Sequence, residues 1–150
     1  MELRARNWPD KKDKATANGD ATICEFPDLF SFPEAMMSNF VALIVEDDPF
    51  QRESLADLLK GEGLEVVECA DAAAAELVLA STGPDLRALV TDVELGGEVS
   101  GAELAQYAKR QFPALNVVMV SGHGAPFVPH DIHFMMKPYE PQQLLEAVLR

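Results

Sequence analysis

Apolar and polar positions settle into a regular rhythm from about residue 39 onward. Phe40–Val45 is an unbroken apolar run, the pattern of a strand covered on both faces. Asp48 then offers a helix N-cap with Pro49 at the first helical position. The helix predicted from there to Lys60 carries Leu55, Leu58 and Leu59 on one face, and Gly61 to Gly63 end it. Leu64–Cys69 reads as a second strand. Asp71 caps an alanine-rich helix to about Ala80, before the breaker pair Gly83-Pro84. Leu86–Thr91 is a third apolar strand. Ser100 caps a helix to about Gln111, where Phe112-Pro113 stops it. Leu115–Val120 and Ile132–Met136 are the fourth and fifth strands, and Gln142–Leu149 is a closing helix.

Strands alternating with helices predict an α/β fold whose parallel sheet is covered on both faces. Right-handed crossovers then favour a doubly wound five-stranded sheet in the order 2-1-3-4-5, the flavodoxin-like arrangement. One crossover is short. Ser121 and Lys137 are sixteen positions apart, and Pro126 and Pro129 fall between them. An interior proline costs a helix about 3 kcal/mol. A fourth helix, between strands 4 and 5, is therefore expected to be reduced to a turn or absent.

Residues 1–38 break the rhythm. Pro9, Gly19, Pro27, Pro33 and the cluster Lys11, Lys12, Asp13, Lys14 show no sustained period. They read as a disordered or weakly ordered extension, leaving 39–150 as the folded domain. Phe26, Leu29, Phe30 and Phe32 offer an alternative there, a short docking segment. The formal charge of −13 opposes binding to nucleic acid or an anionic membrane. Two cysteines, Cys24 and Cys69, are too few for a disulfide framework, and no secretory or membrane-length apolar stretch is visible. A cytoplasmic protein is expected. His123, His130 and His133 read as loop histidines rather than a zinc site.

The predicted fold says where to look for chemistry. Ligands of doubly wound sheets bind beyond the carboxyl ends of the strands, at the switch point between strands 1 and 3. Strand 1 ends in Glu46-Asp47-Asp48, strand 3 in Asp92, strand 4 in Ser121 and strand 5 in Lys137-Pro138. Clustered carboxylates raise one another's cost of ionising, and a hard divalent cation such as Mg²⁺ removes that conflict. A carboxylate can also attack phosphorus and form an acyl phosphate, if the equatorial oxygens are neutralised. A lysine, a hydroxyl and a cation supply that neutralisation.

The stretches VALIVEDDP, ALVTDVELGGEVSG, VVMVSGHG and FMMKPY carry a family resemblance. Residues 40–150 resemble a response-regulator receiver domain of two-component signalling. The resemblance implies that Asp92 is the phosphoacceptor. It implies that Glu46, Asp47 and Asp92, with the backbone carbonyl of Glu94, bind Mg²⁺. Ser121 would be the switch hydroxyl, Lys137 the phosphate-binding lysine and Phe134 the switch aromatic. Glu94 and His123 would tune the lifetime of the phosphorylated state, Gly101 would be the glycine before the third helix, and the Lys137–Pro138 peptide is often cis in the family. Gly96-Gly97 implies a β3–α3 loop one or two residues longer than usual. The implied partners are a histidine kinase or histidine phosphotransfer protein and a downstream protein target. Nucleic acid and membrane are not among them, and the state is a monomer or weak dimer. A stand-alone receiver is expected, one that catalyses only its own phosphorylation and dephosphorylation.

Two other readings use the same residues. A haloacid-dehalogenase-like phosphatase also orders an Asp, a Ser and a Lys. That family, however, wants a second Asp two positions after the first, where Glu94 stands, and an acidic metal motif after the lysine. A phosphorylation-independent interaction module on the same scaffold is the other.

Overall fold

The computed structural model describes residues 40–124 and 127–150. The expected extension over 1–38, its aromatic segment and Pro126 lie outside the described residues. Five parallel strands form one sheet in the order β2-β1-β3-β4-β5, where β1 is Val41–Val45, β2 Glu65–Cys69, β3 Leu86–Asp92, β4 Asn116–Ser121 and β5 His133–Met136. Among the described residues four helices accompany them: α1 Pro49–Gly61, α2 Ala72–Thr82, α3 Gly101–Gln111 and α4 Pro141–Val148.

Alternate residues of each central strand feed two separate cores, which is why these strands are apolar throughout. Leu43, Val45, Leu89 and Met119 pack with Leu79 of α2 and Leu104 and Ala105 of α3. Ala42, Ile44, Val90 and Val118 pack on the other face with Leu55, Ala56 and Leu59 of α1 and Leu144, Leu145 and Val148 of α4. Each fully buried aliphatic side chain contributes about 1.5–3 kcal/mol of transfer free energy. Leu58, expected on the buried face of α1, is only half-buried.

The predicted caps form. Asp48 accepts from the Phe50 and Gln51 amides, at 2.8 and 3.2 Å, and Asp71 from the Ala74 amide at 2.7 Å. Ser100 and Glu103 make a reciprocal capping box at 3.2 and 2.8 Å. At the other end of the sheet, the Asn116 side chain donates to the Ala147 and Val148 carbonyls closing α4, at 2.6 and 2.9 Å.

Most element ends fall within one residue of the sequence reading, and the region after α2 departs further. Helix α2 runs to Thr82 rather than Ala80. The Ser81 and Thr82 hydroxyls fold back onto the Val78 carbonyl, at 3.2 and 2.9 Å, so polar residues continue the helix. Gly83-Pro84 then turns in a single 3₁₀ turn, Gly83–Asp85, instead of simply breaking the chain. Gly83 lies against the Phe112 ring, which a β-carbon there would meet at 2.2 Å.

The β4–β5 crossover carries no helix among its described residues. A turn at His130–Asp131, closed by the Ile132 amide on the Pro129 carbonyl at 3.0 Å, is its one regular feature there.

Candidate functional site

The sheet register brings the strand ends together. Val45 pairs with Thr91, Asp92 with Val120 and Ser121 with Met136. The following residues, Glu46, Gly122 and Lys137, therefore open onto one side of the molecule. A cavity of about 720 Å³ lies there, lined by Glu46, Asp47, Asp92, Glu94, His123 and Lys137 together with the first turn of α1.

Asp92 is 7% exposed and Glu46 3%, whereas Asp47 faces solvent. One carboxylate oxygen from each of the three lies within 4.8 Å of the others. Lys137 joins them: its ammonium donates to Asp92 Oδ2 at 2.6 Å and to Glu46 Oε2 at 3.0 Å. The remaining Asp92 oxygen accepts from the Glu94 amide at 2.9 Å, and the remaining Glu46 oxygen from the Asp48 amide at 3.1 Å. Every buried side-chain nitrogen or oxygen among the described residues has a partner.

Burial pushes the Glu46 carboxyl up to about 7, with Asp92 and Asp47 adding to the rise and Lys137 and the Asp48 amide opposing it. Burial pulls the Lys137 ammonium down, but the Asp92 and Glu46 carboxylates outweigh it and hold the lysine above its ordinary value. One lysine thus offsets only part of the charge of the acidic cluster, and Glu46 is the member held toward its protonated form. This has a measurable consequence without divalent cations. Between about pH 4.5 and 7 the folded chain keeps a proton on Glu46 that the unfolded chain releases. Glu46 therefore stabilises the fold most below pH 4.5, and its contribution is lost as pH rises to 7. Denaturation in EDTA is expected to show that loss for the wild-type chain. Glu46→Gln should flatten it, and an equally steep profile in that variant would sink the assignment.

Ser121 is fully buried, and it does not line the cavity. Its hydroxyl accepts from the His123 amide at 3.0 Å and reaches Glu94 Oε1 at 3.4 Å. His123 Nδ1 meets both Glu94 oxygens, at 2.8 and 3.0 Å, so these three residues form one cluster beside the acids. Phe134 stands apart from the cavity, half-buried among the core residues on the α2 and α3 side of the sheet. The Lys137–Pro138 peptide is cis. Cys69 is buried at the end of β2, and burial raises its thiol pKa, as a small core residue requires. Among the described residues the acidic trio is the only cluster of potential metal ligands, and the histidines form none.

Sequence reasoning missed Gln51. Its side-chain oxygen accepts from Lys137 Nζ at 2.6 Å, a contact across 86 positions. Arg52, also missed, donates to the Glu46 carbonyl at 2.8 Å and so holds the end of β1. Both lie in the first turn of α1, the helix the strand-1 acids lead into. That placement was their one sequence signal.

The sequence model of the response regulator receiver domain matches residues 42–149. The chain belongs to the response regulator receiver family. The match agrees with its relatives. Nodulation protein W of Bradyrhizobium diazoefficiens is 36% identical over 118 residues, covering 73% of this chain and 49% of that protein. Transcriptional regulatory protein FixJ of Azorhizobium caulinodans is 33% identical over 113 residues, covering 70% of this chain and 51% of that protein. The receiver chain thus spans about half the length of these curated relatives. A response regulator receiver protein from Sinorhizobium medicae superposes with a TM-score of 0.67 at 25% identity, covering 73% of this chain and 91% of that one. A CheY-like receiver domain protein from Methanospirillum hungatei gives 0.66 at 27%, covering 73% and 90%. This chain is therefore a receiver domain of two-component signalling, with the 2-1-3-4-5 sheet expected of one. No helix among its described residues is long and apolar enough to cross a membrane.

Proposed function

We propose that this receiver domain, residues 39–150, takes a phosphoryl group on Asp92 from a phosphohistidine of a histidine kinase or phosphotransfer protein. The observation that carries the reading is the contact of Asp92 Oδ2 with Lys137 Nζ inside the acidic trio. An Asp92 carboxylate oxygen attacks phosphorus, the phosphorus–nitrogen bond breaks, and the imidazole leaves with the electron pair and takes up a proton. The product is an acyl phosphate, and nothing is oxidised or reduced. Lys137, already at Asp92, neutralises a phosphoryl oxygen without moving far.

The donor set fits Mg²⁺: it is all oxygen, one member is open to solvent, and the single lysine leaves negative charge unbalanced. Glu46, Asp47, Asp92 and the Glu94 carbonyl would hold the ion, which would favour the ionised form of Glu46 and offset charge on the transferred group. Ser121 would leave Glu94 and His123 to bind a phosphoryl oxygen, and Phe134 would follow toward the space vacated. Glu94 and His123, bound to each other beside the pocket, set how readily water reaches the acyl phosphate. Signalling then passes to a protein partner as a local charge event that biases two surface arrangements.

Incubation with Mg²⁺ and a small phosphodonor tests this. Labelling should stop at one phosphoryl group per chain, and steady hydrolysis of a generic phosphomonoester would sink the proposal in favour of a phosphatase. Lys137→Ala is expected still to be labelled, yet to lose the chemical-shift changes that phosphorylation produces at Ser121 and Phe134. A variant whose shifts match the wild type would remove the lysine from the switch.

A further inference from the structure

The Lys137 ammonium has three N–H donors, and all three are occupied: by Asp92, by Glu46 and by the Gln51 carboxamide oxygen at 2.6 Å. All three acceptors line the pocket, and the two acids also belong to the candidate metal site. Gln51 is different. It is neutral, it sits on α1, and the other end of its amide is also engaged, with Nε2 donating to Asp48 Oδ2 at 3.3 Å. The chemistry fixes the amide's orientation. An ammonium can only donate and a carboxylate can only accept, so the oxygen must face Lys137 and the nitrogen Asp48. The Gln51 backbone N–H also donates to Asp48 Oδ1 at 3.2 Å, so the N-cap and the tether share one residue. A glutamate here would keep the acceptor but set a carboxylate against Asp48. A methionine would keep the bulk and lose both bonds.

We propose that Gln51 is a positioning residue: it tethers the Lys137 ammonium to the N-terminal turn of α1, so that the lysine is already aimed when a phosphoryl group arrives. The inference rests on the phosphoacceptor reading of Asp92 and deepens it. On that reading Asp92 and Glu46 would change their own engagements when the pocket is loaded, since Asp92 would carry the new group and both acids would help hold the cation. Gln51 competes for neither. It is the acceptor that keeps Lys137 in place throughout.

Beryllofluoride, a stand-in for the phosphoryl group, is the probe. Titrated at saturating Mg²⁺, it should bind Gln51→Met about tenfold more weakly than wild type, the effect of one hydrogen bond to a charged group. In a Lys137→Met chain, Gln51→Met should change affinity by less than about twofold, because its route of action is gone. A wild-type affinity in Gln51→Met, or the same tenfold loss in both backgrounds, overturns the role. The ¹⁵N resonance of the Lys137 ammonium, assigned by its absence in Lys137→Arg, gives a reading without ligand. It should be sharp in the wild type and broadened by faster proton exchange in Gln51→Met, and an unchanged signal overturns the tether. Failure of the wild-type chain to bind beryllofluoride would instead remove the phosphoacceptor reading, and the ammonium signal would decide the tether alone.

Discussion

Asp92→Ala is expected to reduce phosphoryl uptake to background. The pocket offers three carboxylates, but they are not equivalent as nucleophiles. Glu46 is buried and still holds much of its proton near neutrality, so its oxygens are poor attackers. Asp47 is open to water and has no contact with Lys137 among the described hydrogen bonds. Asp92 combines burial, a lysine at 2.6 Å and a backbone amide at 2.9 Å on its other oxygen. Removing it deletes the attacking group and leaves one lysine N–H to water or Glu46. The fold should lose no more than about 1–2 kcal/mol from the broken bonds. Mass spectrometry after incubation with a phosphodonor and Mg²⁺ reads the result. A variant that still gains a phosphoryl group would move the acceptor elsewhere.

The largest effect on stability is expected from Gly101→Ala. The first residue of α3 is packed directly on the peptide of Asp92. A β-carbon at Gly101 would stand 1.5 Å from the Asp92 carbonyl oxygen, 2.6 Å from its carbon and 2.9 Å from Thr91 Oγ1. None of these is the far end of a flexible side chain. The Gly101 amide also donates to the Val93 carbonyl at 2.9 Å, which pins the helix against the strand. Helix or strand must shift, and overpacking of this kind costs about 1–3 kcal/mol and occasionally more. The upper end, about 3 kcal/mol, is expected, with a fall in Tm on the order of 10 °C. Because the obstruction is the Asp92 backbone itself, beryllofluoride binding should fall in the same variant. Denaturant midpoints measure the first effect. A loss below about 0.5 kcal/mol would show that α3 backs away freely and that the close packing has no role.

Much of this was legible in the sequence, for identifiable reasons. Strands covered on both faces must be apolar at every position, so Ala42–Val45 and Ala88–Val90 stood out without any partner in view. Asp48, Asp71 and Ser100 announced helix starts because each side chain bonds an amide two or three residues ahead, a purely local act. The acidic residues could be placed at one site because a doubly wound sheet puts strand ends side by side. What failed to show depends on contacts set by the tertiary fold. Gln51 is an ordinary polar helix residue until Lys137 arrives from 86 positions away. The Glu94–His123 contact needs β3 and β4 paired before the two residues meet. The end of α2 was misjudged because propensity alone does not reveal that Ser81 and Thr82 bond back to Val78.

The sheet's two outer strands have a consequence for how the molecule behaves in a crowd. An edge strand exposes unpaired amides and carbonyls that can recruit another sheet. In β2 that edge carries exposed Glu65 and Glu68, the latter beside Lys60 and Arg52. In β5 it is four residues long. One border is guarded by charge and the other by brevity. Together they disfavour edge-to-edge aggregation at high concentration, while the strand ends stay open for the chemistry proposed at Asp92.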